Sequence, residues 1–166
     1  MNVTVVLMGV SGSGKSTVME RMVERFGWAS AEADDFHPAA NVAKMASGHP
    51  LTDEDRWPWL RALATWIGKR EAAGENGVIT CSALRRAYRD LLRDGHPSVR
   101  FVHLVVDPEA LERRMKQRRG HFMPSSLLGS QLEILEAFQP DEPGLVVSGE
   151  LPCDEIVNEV VARLRR

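Results

Sequence analysis

Cysteine is almost missing: Cys81 and Cys153 are the only two in 166 residues, far apart and in no C-x-x-C pair. That excludes a disulfide-stapled framework and points to a reducing compartment. Long apolar runs are missing too. The longest, Val5 to Met8 with Val3 and Val10 at its flanks, is far short of the roughly 20 residues that span a bilayer. Met1-Asn2-Val3 carries none of the basic residues of a signal peptide, so a cytoplasmic protein without a membrane partner is expected. Charge of either sign is not in surplus. Lys plus Arg number 21 against 23 Asp plus Glu, a net −2 with His neutral, so nothing draws the chain to a nucleic-acid backbone. With 43% hydrophobic residues, 13 Gly and 9 Pro, the composition is neither collagen-like nor disordered. No internal repeat, low-complexity tract or linker divides the chain, and a single domain over 1–166 is expected.

What is present alternates. Val3 to Met8 is β-branched and nearly continuous in apolarity, as in a strand buried on both faces of a parallel sheet. Similar runs occur at Val78 to Cys81, Val99 to Val106 and Leu145 to Val147, with a weaker one at Trp28 to Ala33. Between them the spacing is helical at Lys15 to Phe26, Asp53 to Ala73, Arg85 to Arg93, Pro108 to Arg118, Ser125 to Phe138 and Asp154 to Leu164. Strands alternating with helices imply an α/β fold on a five-stranded parallel sheet. Gly, Pro and clustered charge over 118–124 mark an exposed loop between helices, a candidate lid within about 113–130.

The strongest chemical signal is Gly9-Val10-Ser11-Gly12-Ser13-Gly14-Lys15-Ser16, which matches G-x-x-x-x-G-K-[ST] directly after a buried strand and before a helix. The glycines let backbone N–H groups wrap phosphate oxygens, Lys15 reaches the β and γ phosphates, and the Ser16 hydroxyl ligates Mg²⁺. ATP with Mg²⁺ is therefore the expected cofactor pair, with 9–16 and the adjoining Thr17 as its binding residues. The strand ending at Cys81-Ser82 carries no carboxylate, and Asp107 before Pro108 reads as a helix N-cap. A second metal-side carboxylate is expected from Glu32-Ala33-Asp34-Asp35 instead. Asp34 near the loop suits a base for an attacking hydroxyl, and Asp35 an N-cap for a segment starting near Pro38.

Residues 32–60 are dense in polar groups, including Asp34-Asp35-Phe36-His37-Pro38, Asn41, Lys44-Met45 and Asp55-Arg56-Trp57-Pro58-Trp59-Leu60. Together with Cys81-Ser82-Ala83-Leu84-Arg85-Arg86-Ala87-Tyr88-Arg89 and Gly120-His121-Phe122-Met123, this stretch resembles the gluconokinase family of P-loop sugar-acid kinases, thermoresistant type, from Val5 to about Val147. The resemblance implies ATP-dependent phosphorylation of D-gluconate to 6-phospho-D-gluconate on a three-layer, nucleoside-monophosphate-kinase-like fold, as a homodimer. By resemblance to the related shikimate kinases, Glu32, where the gluconokinase family usually has Asp, matches the metal-side acid and Asp34 the acceptor-side acid. A longer glutamate side chain can still reach Mg²⁺ through water.

An acidic acceptor needs a cation away from the γ-phosphate, for which Arg56 and Arg85 are the candidates with Lys44 assisting. Arg56 could instead pair with Asp53-Glu54-Asp55 on a solvated helix face. His37 and His121 are further acceptor-site candidates. Trp57 or Trp59 could wall the pocket, and Trp66 reads as packing. Arg114 and Arg118, four apart on one helical face, are expected to bring cations onto the phosphates. His103, in an apolar strand, reads as a core residue. The competing functions are another small-molecule kinase, such as a shikimate or nucleoside-monophosphate kinase, and a nucleotide-driven switch or assembly ATPase.

Overall fold

A computed structural model of the chain describes residues 2–10, 12–117, 131–132, 134–142 and 144–164. Ser11, Arg118, His121 and most of the expected lid lie outside the described residues.

Five strands pair in one parallel sheet: β1 (Thr4–Met8), β2 (Ala29–Glu32), β3 (Gly77–Thr80), β4 (Val99–Val105) and β5 (Gly144–Ser148), in the order β2-β3-β1-β4-β5. β1 is central and fully buried, which is why its sequence shows no alternation. Its side chains nevertheless part to opposite faces. Val5 and Leu7 join Val18, Met22 and Val157 under helices α1 (Lys15–Phe26) and α6 (Cys153–Leu164). Val6 and Met8 join Leu60, Leu63, Ile67 and Leu92 under α3 (Asp53–Ala72) and α4 (Arg86–Arg93). A third cluster, Val10, Leu84, Val106, Ala110 and Leu111, seats α5 (Pro108–Gln117) above the strand ends. Helices on both faces of the sheet make the three expected layers.

Three elements differ from the sequence pattern. The stretch after β2 forms a single 3₁₀ turn, Ala33–Phe36, and a short helix, α2 (Ala39–Ala46), that the periodicity does not announce. Only Asn41 and Met45 of α2 are buried, too few positions for a readable period. Pro38, not a carboxylate, occupies the α2 N-cap and no side chain caps that helix, so Asp35 does not play its expected part. The helical pattern expected to run to Phe138 stops at Ile134 among the described residues, because the Glu136 N–H bonds the Leu84 carbonyl at 2.7 Å instead of continuing the turn. By contrast α3 starts where the sequence places it, fixed by a capping box. The Thr52 hydroxyl accepts from Asp55 N–H, and the Asp55 carboxylate accepts from Thr52 N–H.

Candidate active site

All five strands point their carboxyl ends at one edge, where ligands bind in open α/β sheets. From the central strand rises the phosphate loop. Gly9 has φ 143°, and a Cβ there would lie 2.8 Å from the Leu104 carbonyl and 2.8 Å from Ser13 Oγ, so only glycine fits. Gly14 at φ 99° then turns the chain into α1, leaving that helix N-terminus without a side-chain cap and its N–H groups facing the loop. Lys15 Nζ donates to the carbonyls of Gly9 at 2.7 Å and Val10 at 3.2 Å, which holds the ammonium over the loop.

Two pockets flank this loop on opposite sides of β1. Towards β5, one is lined by Gly12, Gly14, Thr17, Arg114, Gly149 and Leu151. Arg114 was expected here, and its guanidinium donates to the carbonyls of Gly12 and Gly149, each at 3.0 Å. Towards β2 and β3, the other is lined among others by Asp34, His37, Arg56, Trp59 and Tyr88. Asp34 comes from the 3₁₀ turn at the tip of β2 and His37 directly follows it, and Arg56 and Trp59 come from α3. The fold thus gathers into one pocket residues that the sequence spreads over more than fifty positions.

Arg56 is not on a solvated face. Its side chain is 14% exposed, donates to the Tyr88 hydroxyl at 2.9 Å and stands over the Tyr88 ring. Tyr88 donates in turn to Asp53, whose other carboxylate oxygen accepts from Arg85 at 3.4 Å. Burial and the Asp53 carboxylate push the Tyr88 phenol up to about 12, so it acts as a neutral bridge. Arg85 contributes through Asp53 and is not among the residues lining the pocket. Lys44 departs from its expected part: it pairs with Asp55 at 2.7 Å, away from the pocket. That contact, with the Thr52 N–H, holds Asp55 down at about 2.

His37 stacks on Trp59 with centroids 4.1 Å apart and planes 15° from parallel. Burial, and secondly the Arg56 guanidinium, lower its pKa to about 4, leaving the imidazole neutral near pH 7. Trp59 is anchored by its indole N–H to the Ala33 carbonyl at 2.7 Å, and Trp57 meets Tyr88 edge-on. Trp66 packs over Gly77, as its packing role requires. His103 is a buried core residue set edge-on against Phe138.

Glu32 sits opposite Thr80 across the β2–β3 ladder, and its carboxylate accepts the Thr80 hydroxyl at 2.7 Å. Among the described residues no three acidic, histidine or cysteine side chains converge as a metal cage. Ser16 and Glu32 offer hard oxygen donors, which suits a cation held by one or two protein ligands and by phosphates, as Mg²⁺ is. The donor set fits.

Tyr88 and Asp53 hold places that the sequence does not assign them: Tyr88 stands there only within the Cys81–Arg89 motif and Asp53 only as an alternative partner of Arg56, which it meets at 3.8 Å. Their signal was faint: one tyrosine in the chain, placed three residues after Arg85 at the start of an amphipathic helix.

Residues 5–138 match the profile of the AAA domain family and so fall within it. A gluconokinase of Gluconobacter oxydans (strain 621H) is 47% identical over 156 residues, covering 94% of this chain and 88% of its own. The chain belongs to the gluconokinase family. The solved gluconokinase of Sinorhizobium meliloti 1021 superposes with a TM-score of 0.84 at 48% identity, over 99% of this chain and 92% of that one. An unliganded sugar kinase from Janibacter sp. HTCC2649 does so with a TM-score of 0.94 at 51% identity, over 99% and 95%. The fold is accordingly that of a P-loop kinase, as the family resemblance implies.

Proposed function

We infer that the protein is a gluconokinase, transferring the γ-phosphoryl group of ATP to the terminal hydroxyl of D-gluconate to give 6-phospho-D-gluconate. The observation that carries this is a pocket beside the phosphate loop that brings Asp34, His37 and Arg56 together among apolar walls, in a chain of this family. Phosphoryl transfer is mostly positioning and charge stabilisation, and the residues divide accordingly. Loop residues 9–17 with Lys15 hold the β and γ phosphates, and Arg114 steadies the loop from the nucleotide side. Asp34 accepts the proton of the attacking hydroxyl. Arg56, oriented by Tyr88 and Asp53, receives the carboxylate end of the acceptor, with Arg85 adding charge behind it and His37 bonding the chain between. Mg²⁺, when bound, neutralises phosphate charge, and Ser16 and Glu32 are the residues that would hold it. We place this activity in the cytoplasm and assign it to a homodimer. No described helix is long and apolar enough to cross a membrane.

An ADP-release assay with a panel of acceptors tests the assignment. Gluconate should drive ADP formation well above the rate with sorbitol, glucose, shikimate or a nucleoside monophosphate. Fast release with shikimate or a nucleotide, or release unchanged by any acceptor, would overturn it in favour of the competing kinase or ATPase.

A further inference from the structure

Asn41 lies in the first turn of α2, is 5% exposed, and has no part in the chemistry assigned above. Its amide nitrogen makes two bonds. One runs to the Asp55 carbonyl at 2.8 Å and the other to His37 Nδ1 at 3.2 Å. A carbonyl can only accept, so the first bond fixes which end of the amide is nitrogen. The same NH₂ group then faces Nδ1, which must be the acceptor, and the ring proton belongs on Nε2. The imidazole is also held flat against Trp59, itself tied to the Ala33 carbonyl. With Nδ1 turned onto α2, Nε2 is the polar edge that His37 has left for the pocket it lines.

We propose that Asn41 is a positioning residue that locks His37 in the Nε2–H tautomer, so that the acceptor pocket presents a neutral hydrogen-bond donor to an oxygen of the sugar acid. The role deepens the gluconate reading and rests on it. A polyhydroxy acid offers acceptor lone pairs along its whole length, and each hydroxyl can accept there while donating elsewhere. A second cation is unsuited to this position, because Arg56 lines the same pocket and two neighbouring positive groups would repel. The lowered pKa of His37 agrees with a neutral ring. Without Asn41 the two tautomers would be free to exchange, and the edge that His37 presents to the pocket would reverse from donor to acceptor whenever they did.

The test reads tautomer and kinetics together. Ring nitrogen shifts of His37, recorded by NMR on the unliganded protein, should show a protonated Nε2 and a bare Nδ1. Asn41→Asp places a carboxylate against Nδ1 and should move the proton there. The gluconate KM should then rise by about tenfold, the worth of one good hydrogen bond, with the ATP KM within about twofold. A second pair does not depend on that variant folding. His37→Gln sets an amide N–H near the Nε2 position and should keep the gluconate KM within a few-fold, whereas His37→Asn, whose amide falls near Nδ1, should not. A wild-type ring protonated on Nδ1, a switched tautomer with an unchanged gluconate KM, or equal losses for His37→Gln and His37→Asn would each overturn the proposal. The ring spectrum is read without substrate. A wild type inert towards gluconate would therefore overturn the substrate reading, while an Nε2–H ring would still support the role of Asn41.

Discussion

Asp53 is the acid at the hub of the acceptor side: it receives Tyr88 and Arg85, and Arg56 lies 3.8 Å from it. Held by one hydrogen bond to Tyr88 and by the nearby Asp53 charge, the Arg56 guanidinium is oriented yet retains donors for a ligand, since each arginine carries five N–H groups. If Arg56 receives the substrate carboxylate, Arg56→Ala should cost gluconate about 2–5 kcal/mol in kcat/KM and sorbitol far less, because only the acid loses a charge partner. Arg85→Ala should act in the same direction but more weakly, since Arg85 stands behind Asp53. Measuring both acceptors on both variants checks this, and equal losses for the two acceptors would move acid recognition elsewhere. Asp34→Asn should lower kcat by roughly 10²–10⁴-fold with ATP binding retained, as expected for loss of a general base. A steep rise in the gluconate Kd at unchanged kcat would make Asp34 a binding residue. At this scale the sequence was most legible where a motif fixes geometry, as at Lys15. It was least legible where a long side chain chooses among acids, and Lys44 chose Asp55.

Between elements, one contact was invisible to periodicity. Arg89, fully buried in α4, grips Glu142 through Nε at 2.6 Å and Nη2 at 3.0 Å, and it donates to the carbonyls of Ala83, Leu84 and Ala137. A buried arginine in an apolar-patterned helix reads as a surface residue until its partner, 53 positions away, is known. The contact ties the β3–α4 loop, where Ala83 takes φ 45°, to the segment that brings Gln131 and Ile134 to the acceptor pocket. Arg86 adds an outer clamp on Asp141 and Gln139. Arg89→Met should destabilise the fold by about 3–5 kcal/mol, because the buried Glu142 carboxylate loses its cation and keeps only the Gln139 N–H, and Arg89→Met with Glu142→Leu should regain much of it. Denaturant midpoints of the single and double variants decide it, and an additive double variant would contradict the pairing. Helices and strands with a continuous buried face were legible from their residues alone. The short α2 was not, having too few buried positions to show a period, nor was the break at Ile134, where the Glu136–Leu84 hydrogen bond outweighs local pattern.

For the whole molecule, two histidines set an acid limit. Burial, followed by Arg56 for His37 and by Arg89 and Lys15 for His103, lowers both to about 4 from 6.5. The unfolded chain therefore binds more protons than the folded one between those values, and stability falls as pH drops through that window. The thermal midpoint should be lower at pH 5 than at pH 7, and His103→Gln should flatten that slope. Parallel slopes for wild type and variant would contradict it. The sheet, its order and the loop at its centre follow from buried strands alternating with helices, whereas the pocket beside the loop depends on which helix ends meet, and no single stretch encodes that. Together these parts serve to carry phosphate from ATP to one hydroxyl of a sugar acid. The most direct measurement is ³¹P NMR and mass analysis of the products after incubation with ATP, Mg²⁺ and gluconate. One phosphate monoester on the terminal carbon of gluconate, formed in step with ADP, is the expected result. ADP matched instead by inorganic phosphate, with gluconate recovered unchanged, would contradict it.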